Sequence, residues 1–146
     1  MTRTDQMVLG IIFKRGQTGT FFLLLKRNPR QGGFWQPLTG GVEDTENLEE
    51  ALRREIREET GIKEVVRILP GLLSHRFYAP RAVHEHAFGV EVRPGTRVKL
   101  DGKEHSDARW CTYEEAKGML VFPANRTALE RLDSILRSED SRPINK

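Results

Sequence analysis

The sequence has little sulfur chemistry and no long apolar segment. Its single cysteine, Cys111, excludes an intrachain disulfide, and the surrounding residues 109–111 favour a small buried side chain over a thiol nucleophile. The longest uninterrupted apolar run, residues 21–25, is far too short to span a membrane. The first ten residues, MTRTDQMVLG, lack the apolar core of a signal peptide. These absences predict a protein that does not enter a membrane and that works in the cytoplasm.

The sequence also lacks internal repeats, low-complexity linkers and any long basic block. Its 24 basic residues are interleaved with 21 acidic ones, which gives a net charge of +3. A pI near 9.2 is compatible with anionic ligands, but without a basic block no nucleic-acid partner is expected. The 146 residues, 37% hydrophobic and 31% charged, fit one folded domain over residues 1–146.

Strands outnumber helices in the predicted order of elements, which favours a mixed sheet covered by helices. Residues 84–92 alternate in polarity and predict a half-buried strand. Further strands are predicted at residues 7–13, 21–27, 65–69, 98–100 and 108–111, and helices at residues 46–60, at 113–120 and from 123 onward. The last helix is predicted to bury a stripe formed by Ala124, Ala128, Leu132 and Ile135.

The helix predicted at residues 46–60 carries acids where a core would be. Asp44 or Thr45 is expected to cap its start, and Gly61 is expected to end it. At about 100° per residue, Glu55 and Glu59 fall in the middle of the apolar stripe, and Glu58 lies at its edge. The apolar stripe is Leu48, Ala51, Leu52 and Ile56, and the solvated face is Glu46, Glu50, Arg53 and Arg57.

Two inward carboxylates one turn apart repel each other and lose hydration, which costs several kcal/mol without compensation. A divalent cation such as Mg²⁺ compensates naturally, because it prefers oxygen ligands and shares substrate phosphates. Internal pairing of arginine with glutamate, in which Arg54 would take part, is the alternative without a metal.

The segment GGVEDTENLEEALRREIREETGI, residues 40–62, resembles the Nudix hydrolase signature at every specified position. Gly40 is followed after five residues by Glu46, and after seven more by the run REIREETGI that starts at Arg54. The resemblance implies an α/β/α sandwich with a mixed β-sheet. It also implies hydrolysis of a diphosphate linkage with Mg²⁺ or Mn²⁺, which would neutralise phosphate charge and lower the pKa of a bound water.

The same resemblance implies a role for each matching residue. Glu55, Glu58 and Glu59 would be the metal-binding and base carboxylates, with Glu55 favoured as base and Glu58 its rival. The carbonyl of Gly40 or Gly41 would be a further ligand, and both glycines would permit a close approach of the loop. Supporting roles fall to Arg54 and Glu46, as a salt bridge, and to Gly61, as the helix stop.

A further carboxylate from outside the signature is common in Nudix domains, and two residues are candidates. Glu104 lies in the polar segment KEHSDARW, six residues before Trp110, a spacing that resembles the Nudix pattern for a distal ligand or base. Glu85 lies on the strand at residues 84–92. The pattern favours Glu104, and surface charge remains the alternative for both.

A narrower resemblance, to the dihydroneopterin triphosphate pyrophosphohydrolase branch, is carried by FWQPLTGGVE, HRFYAP, KEHSDARW and ANRTALERL. It implies a pterin triphosphate or ordinary (deoxy)nucleoside triphosphate substrate. Hydrolysis of dinucleoside polyphosphates and a non-catalytic nucleotide-binding module are the alternatives. Candidate substrate contacts are Arg27 and Arg76 for phosphate and Trp35 for stacking on a heterocycle. Either a monomer or a homodimer is compatible with the sequence.

Overall fold

A seven-stranded mixed sheet forms the centre of the computed structural model, which describes residues 2–78 and 80–141. The strands are β1 (Thr2–Gly16), β2 (Gly19–Arg27), β3 (Trp35–Gln36), β4 (Leu38–Glu43), β5 (Arg67–Tyr78), β6 (Ala82–Val92) and β7 (His105–Cys111). The helices in this part of the chain are α1 (Leu48–Thr60), α2 (Tyr113–Met119) and α3 (Pro123–Asp140), with a short 3-10 helix at Pro29–Gln31. Within the described ranges, no helix combines the length and apolarity needed to cross a bilayer.

The long strand β1 organises the sheet, because it pairs with three other strands. It runs parallel to β6 and antiparallel to both β2 and β4. Strand β2 in turn pairs with β3 and β7, and β5 forms an antiparallel pair with β6. One parallel pair among antiparallel ones makes the sheet mixed, as the sequence predicts.

Alternate residues of β1 contribute to two separate hydrophobic cores. Leu9 and Ile11 join the core beneath α2 and α3, whereas Val8 and Ile12 join the core beneath α1. Gly10 has no room for a side chain, because an added Cβ would lie 2.9 Å from Leu52 Cδ1 of α1. Helices therefore cover both faces of the sheet, and the predicted α/β/α sandwich is confirmed.

The start of α1 differs from the prediction. The helix begins at Leu48, and Asn47 is its N-cap: the Asn47 side chain accepts from the Glu50 amide, and the Glu50 side chain accepts from the Asn47 amide. Asp44 and Thr45 are therefore not the cap. Glu46 precedes the helix and turns toward Arg54, so it does not belong to the solvated face. Gly61 ends the helix in the left-handed conformation, with φ 72°, as predicted.

Three strand predictions were also wrong in part. Residues 98–100 form no strand, because the Lys99 amide donates to the Thr60 carbonyl at the end of α1 instead of to a sheet partner. Strand β5 continues through Pro70 and Gly71, where a register shift against β6 absorbs the turn residues. Strand β6 is buried on both faces along residues 87–90, because helices pack on each side of it.

The buried stripe of α3 is rotated from the predicted one. Ala128 and Leu132 are buried as expected, but Ile135 is 38% exposed and Leu136 takes the inward position. Asn125, in the first turn, is also buried. The rotation places a polar amide, rather than Ala124, on the inner side at the helix start.

Candidate active site

Arg54 connects the acids at the start and middle of α1. Its Nε and Nη2 donate to the two carboxylate oxygens of Glu46 at 2.6 and 2.9 Å, which is a bidentate pair. Its Nη1 donates to Glu55 Oε1 at 2.7 Å and to Glu58 Oε2 at 3.2 Å. A further bond from Nη2 to the Gly41 carbonyl, 2.8 Å long, fixes the β4 backbone to the helix. One guanidinium thus orients three carboxylates and a loop.

Glu55 lies directly over Gly40, in space that any side chain would fill. A Cβ added at Gly40 would be 2.2 Å from Glu55 Cδ, so a residue other than glycine would displace the carboxylate. Glu55 is 8% exposed, and this burial raises its pKa to about 7, against the opposing effect of Arg54. Because the Gly41 carbonyl already accepts from Arg54, the Gly40 carbonyl is the better candidate ligand of the two.

A second acidic group lies where the C-terminal end of α1 meets the start of β7. Ligand atoms of Glu59, Glu104 and His105 all lie within 4.8 Å of one another. Glu59 is 5% exposed. Burial and the neighbouring Glu59 carboxylate raise the pKa of Glu104, whereas Arg27 and His105 act in the opposite direction. The fold therefore holds two carboxylates together at a site of low hydration.

These residues fit a hard divalent cation by the chemistry of their donors. Glu55, Glu58, Glu59, Glu104 and the Gly40 carbonyl supply the oxygen ligands that such cations prefer. Arginine pairing alone accounts for Glu46 and partly for Glu55 and Glu58, but Arg54 makes no bond to the Glu59–Glu104 pair. Arg27 and His105 offset part of the charge of this pair, and a divalent cation would offset the rest.

A pocket of about 570 Å³ lies beside the carboxylates, between the edge of the sheet and the start of α3. Aromatic rings form much of its wall, and Phe34 and Phe122 meet there edge to face with centroids 5.2 Å apart. Its lining residues are Met7, Arg27, Phe34, Gln36, Thr39, His75, Phe77, Glu85, Phe122, Pro123, Ala124 and Asn125. Asn125, which is 7% exposed, contributes a polar side chain to this wall. Such a wall suits a flat polar heterocycle.

Arg27, at the end of β2, joins the pocket to the carboxylates. It lines the pocket and lies close enough to Glu104 for its charge to oppose the rise in that residue's pKa. Its Nε is buried and has no hydrogen-bond partner in the part of the chain that the structure describes. A buried donor without a partner is costly, and a phosphate oxygen would satisfy it. The position of Arg27 is thus compatible with a phosphate contact.

The structure does not bring the other predicted substrate residues together with this site. Trp35 packs against the core beneath α2 and α3 and is not part of the pocket wall, where its neighbour Phe34 stands instead. Arg76 is exposed, and after burial and His84 its charge also lowers the pKa of His86. Its neighbours His75 and Phe77 line the pocket. Glu85 lines the pocket too, paired with His75 at 3.0 Å, and does not belong to the group formed by Glu59, Glu104 and His105.

Two residues of this region escaped the reading of the sequence. His105 is 1% exposed and bonds to Glu59; the only signal was its position directly after Glu104 at the start of a strand. Asn125 lies in the same row as Leu129, Leu132 and Leu136 at helical spacing, and that row could have shown that the amide points inward.

Comparison with known proteins identifies the family of this chain. A model of the NUDIX domain family matches residues 4–132. The CTP pyrophosphohydrolase of Escherichia coli (strain K12) is 36% identical over 129 residues, which cover 86% of this chain and 88% of that protein. The E. coli dihydroneopterin triphosphate pyrophosphohydrolase superposes with a TM-score of 0.74 and 24% identity, covering 87% of this chain and 93% of the other; at this identity the likeness shows the fold alone.

A longer relative, an octanoyltransferase of Myxococcus xanthus, is 37% identical over 114 residues, or 75% of this chain. The match spans 31% of that protein, about a third of its length, so its name carries no argument about this chain. The family match covers most of the described residues, and the E. coli CTP pyrophosphohydrolase is matched over nearly its full length. The chain therefore belongs to the NUDIX domain family.

Proposed function

We propose that the chain is a divalent-cation-dependent pyrophosphohydrolase that cleaves a diphosphate linkage in nucleoside-triphosphate-like substrates. The observation that carries this proposal is the excess of buried carboxylates directly beside an aromatic-walled pocket. Acids in such an arrangement attract a cation, and the cation attracts phosphate. The pocket next to them would hold the rest of the substrate.

The cation, Mg²⁺ or Mn²⁺, would be held by Glu55, Glu58, Glu59, Glu104 and the Gly40 carbonyl, and when bound it offsets the phosphate charge. Glu55 is the favoured general base, because Arg54 and the backbone of Gly40 fix its carboxylate in one orientation. Its Oε1 accepts from Arg54, which leaves Oε2 to take the proton of the water that attacks phosphorus. Glu58, whose side chain is 57% exposed, is held less firmly.

Recognition of the substrate would divide between Arg27 and the pocket. Arg27 would donate its buried Nε to a phosphate oxygen, and Phe34, Phe77 and Phe122 would surround the heterocycle. Asn125 would hydrogen-bond to the edge of that heterocycle, because its amide lies in the pocket wall, where a bound ligand can accept from it or donate to it. A pterin triphosphate and the pyrimidine and purine (deoxy)nucleoside triphosphates all satisfy this description.

The test is a panel of substrates assayed with purified protein. Dihydroneopterin triphosphate, CTP, dCTP, the other NTPs and dNTPs, and dinucleoside polyphosphates would be supplied with Mg²⁺, and the phosphorus products would be separated. We expect pyrophosphate release that stops in EDTA, and Asn125→Ala should raise KM about tenfold for the best triphosphate, the loss of one hydrogen bond. Binding of these nucleotides without turnover of any of them would instead show a non-catalytic module.

A further inference from the structure

A buried hydrogen-bonded chain runs from the pocket wall to the carboxylates. His105, the first residue of β7, places its Nδ1 3.0 Å from Glu59 Oε2. On its other side, His105 Nε2 lies 3.4 Å from the side-chain nitrogen of Gln36 on β3. The His105 side chain is fully buried, and Gln36 is 7% exposed and lines the pocket. Three elements distant in sequence thus meet through one imidazole ring.

The partners of His105 determine where its proton lies. A carboxylate oxygen accepts hydrogen bonds, so the 3.0 Å contact with Glu59 Oε2 assigns the donating N–H to Nδ1. The other nitrogen, Nε2, is then an acceptor, and the Gln36 amide group can donate to it. The direction of donation is consistent along the whole chain, from Gln36 to His105 to Glu59. Both ring nitrogens are therefore engaged, and neither is left to coordinate a cation itself.

We propose that His105 is a positioning residue, which orients the Glu59 carboxylate for the cation and is itself oriented by Gln36. This inference rests on the proposed function, since it assigns a role within the same site. Glu59 projects from a helix and has several rotatable bonds, whereas the imidazole of His105 is locked in the sheet. A hydrogen bond from a fixed donor restricts the rotation of the carboxylate.

The alternative is that His105 only fills space in the core. The two descriptions differ in what each ring nitrogen contributes: a filler needs only volume, whereas a positioning residue needs a donor at the Nδ1 position. Asparagine places its amide nitrogen close to the position of Nδ1, and glutamine places its own close to that of Nε2. His105→Asn and His105→Gln are therefore a matched pair that separates the donor to Glu59 from the group facing Gln36.

The measurement is the affinity of each variant for Mn²⁺ alone, by electron paramagnetic resonance and calorimetry, without nucleotide. We expect His105→Gln to weaken Mn²⁺ binding about 10–100-fold, the usual effect of losing such an outer partner, and His105→Asn to retain most of the wild-type affinity. In turnover assays, raising the Mg²⁺ concentration should restore much of the kcat of His105→Gln. Melting temperatures in EDTA check that both variants remain folded.

Gln36→Leu provides a second variant for the case in which His105→Gln does not fold. Removal of the Gln36 donor should weaken Mn²⁺ binding in the same direction but less, because the bond to Glu59 remains. Wild-type Mn²⁺ affinity in both His105→Gln and Gln36→Leu would overturn the positioning role. So would equal loss in His105→Asn and His105→Gln that follows their melting temperatures. If the wild-type protein hydrolyses substrates of the panel but the variants give either of these results, only the positioning role of His105 is overturned. If the wild-type protein neither binds Mn²⁺ nor hydrolyses any substrate, the proposed function is overturned as well.

Discussion

Two clusters of ion pairs, each centred on an arginine, lie on different elements of the fold. The Arg54 cluster consists of Arg54, Glu46, Glu55 and Glu58, and the Arg67 cluster consists of Arg67, Arg15, Glu91, Glu139 and Asp140. The first joins α1 to the backbone of β4, and the second joins β1, β5 and β6 to the C-terminal end of α3.

The clusters differ in the balance of charge and in what this balance does to their acids. One cation faces three carboxylates in the Arg54 cluster, and Glu59 and Glu104 add to the excess nearby. In the Arg67 cluster two cations share three carboxylates, and Arg67 and Arg15 both bond to Glu139. The hydrogen bond from Arg67, with the charge of Arg15, lowers the pKa of Glu139, whereas burial raises that of Glu55 to about 7.

The balance of charge distinguishes a cluster that stabilises this fold from one that binds a ligand. A charge cluster that serves stability satisfies its acids with cations from the protein. A cluster that leaves buried acids undercompensated costs stability and is retained for what it binds. Three substitution experiments test this contrast.

The largest effect is expected on activity when an undercompensated acid is neutralised. Glu55→Gln and Glu59→Gln should each lower kcat by about 100-fold or more, since general-base and cation contributions are each of this order. The folded state should survive in EDTA, because glutamine removes a buried charge without changing its volume. The measurements are steady-state turnover with Mg²⁺ and melting temperature without it.

Glu91→Gln in the Arg67 cluster is the matched control for that experiment, and it should leave kcat unchanged. Near-wild-type turnover in both Glu55→Gln and Glu59→Gln would contradict the assignment of these residues. A comparable loss of kcat in Glu91→Gln would remove the contrast between the clusters.

The next effect concerns stability when each central arginine is removed. Arg54→Met should lower the free energy of unfolding by about 2–3 kcal/mol, because it leaves partly buried carboxylates without their cation. Arg67→Met should cost about 1 kcal/mol, because the Arg67 side chain is 35% exposed and Arg15 still bonds to Glu139. Urea unfolding in EDTA measures both. Equal losses, or a larger loss for Arg67→Met, would show that the carboxylates around Arg54 do not depend more strongly on their arginine than those around Arg67.

Residues close together in sequence made the fold and part of this site predictable. Helical spacing places Glu55 and Glu59 on the inner side of α1, and both are buried there. Gly61 ends that helix, and alternation identifies the central strands. These features depend on the backbone geometry of one element, which the sequence expresses directly.

The remainder depends on contacts between distant segments. Residues 98–100 have the composition of a strand, but the Lys99 amide bonds to the end of α1 instead of to a neighbouring strand. Trp35 and Phe34 are adjacent aromatic residues, and only the packing of α3 decides that Phe34 faces the pocket. Likewise, the bond between His105 and Glu59 joins residues 46 positions apart. Local sequence patterns do not show which distant residues come into contact.

The smallest effect is a change in how stability depends on pH, and it concerns Glu139. Because its pKa is lowered in the folded protein, its ionised form contributes stability that is present above the ordinary value of 4.5 and is lost as the pH falls through the lowered pKa. Glu139→Gln should therefore be less stable than the wild type at pH 7, and the difference should shrink as the pH falls below 4.5. Melting temperatures from pH 7 to about pH 2.5, at constant ionic strength and in EDTA, measure this convergence.

Glu64→Gln is the control, because the Glu64 side chain is 82% exposed and its profile should run parallel to that of the wild type. A difference between Glu139→Gln and the wild type that stays constant down to the lowest pH would mean that packing, and not the charge of Glu139, supports this end of α3. The Arg67 cluster would then be no electrostatic counterpart to the acids around Arg54.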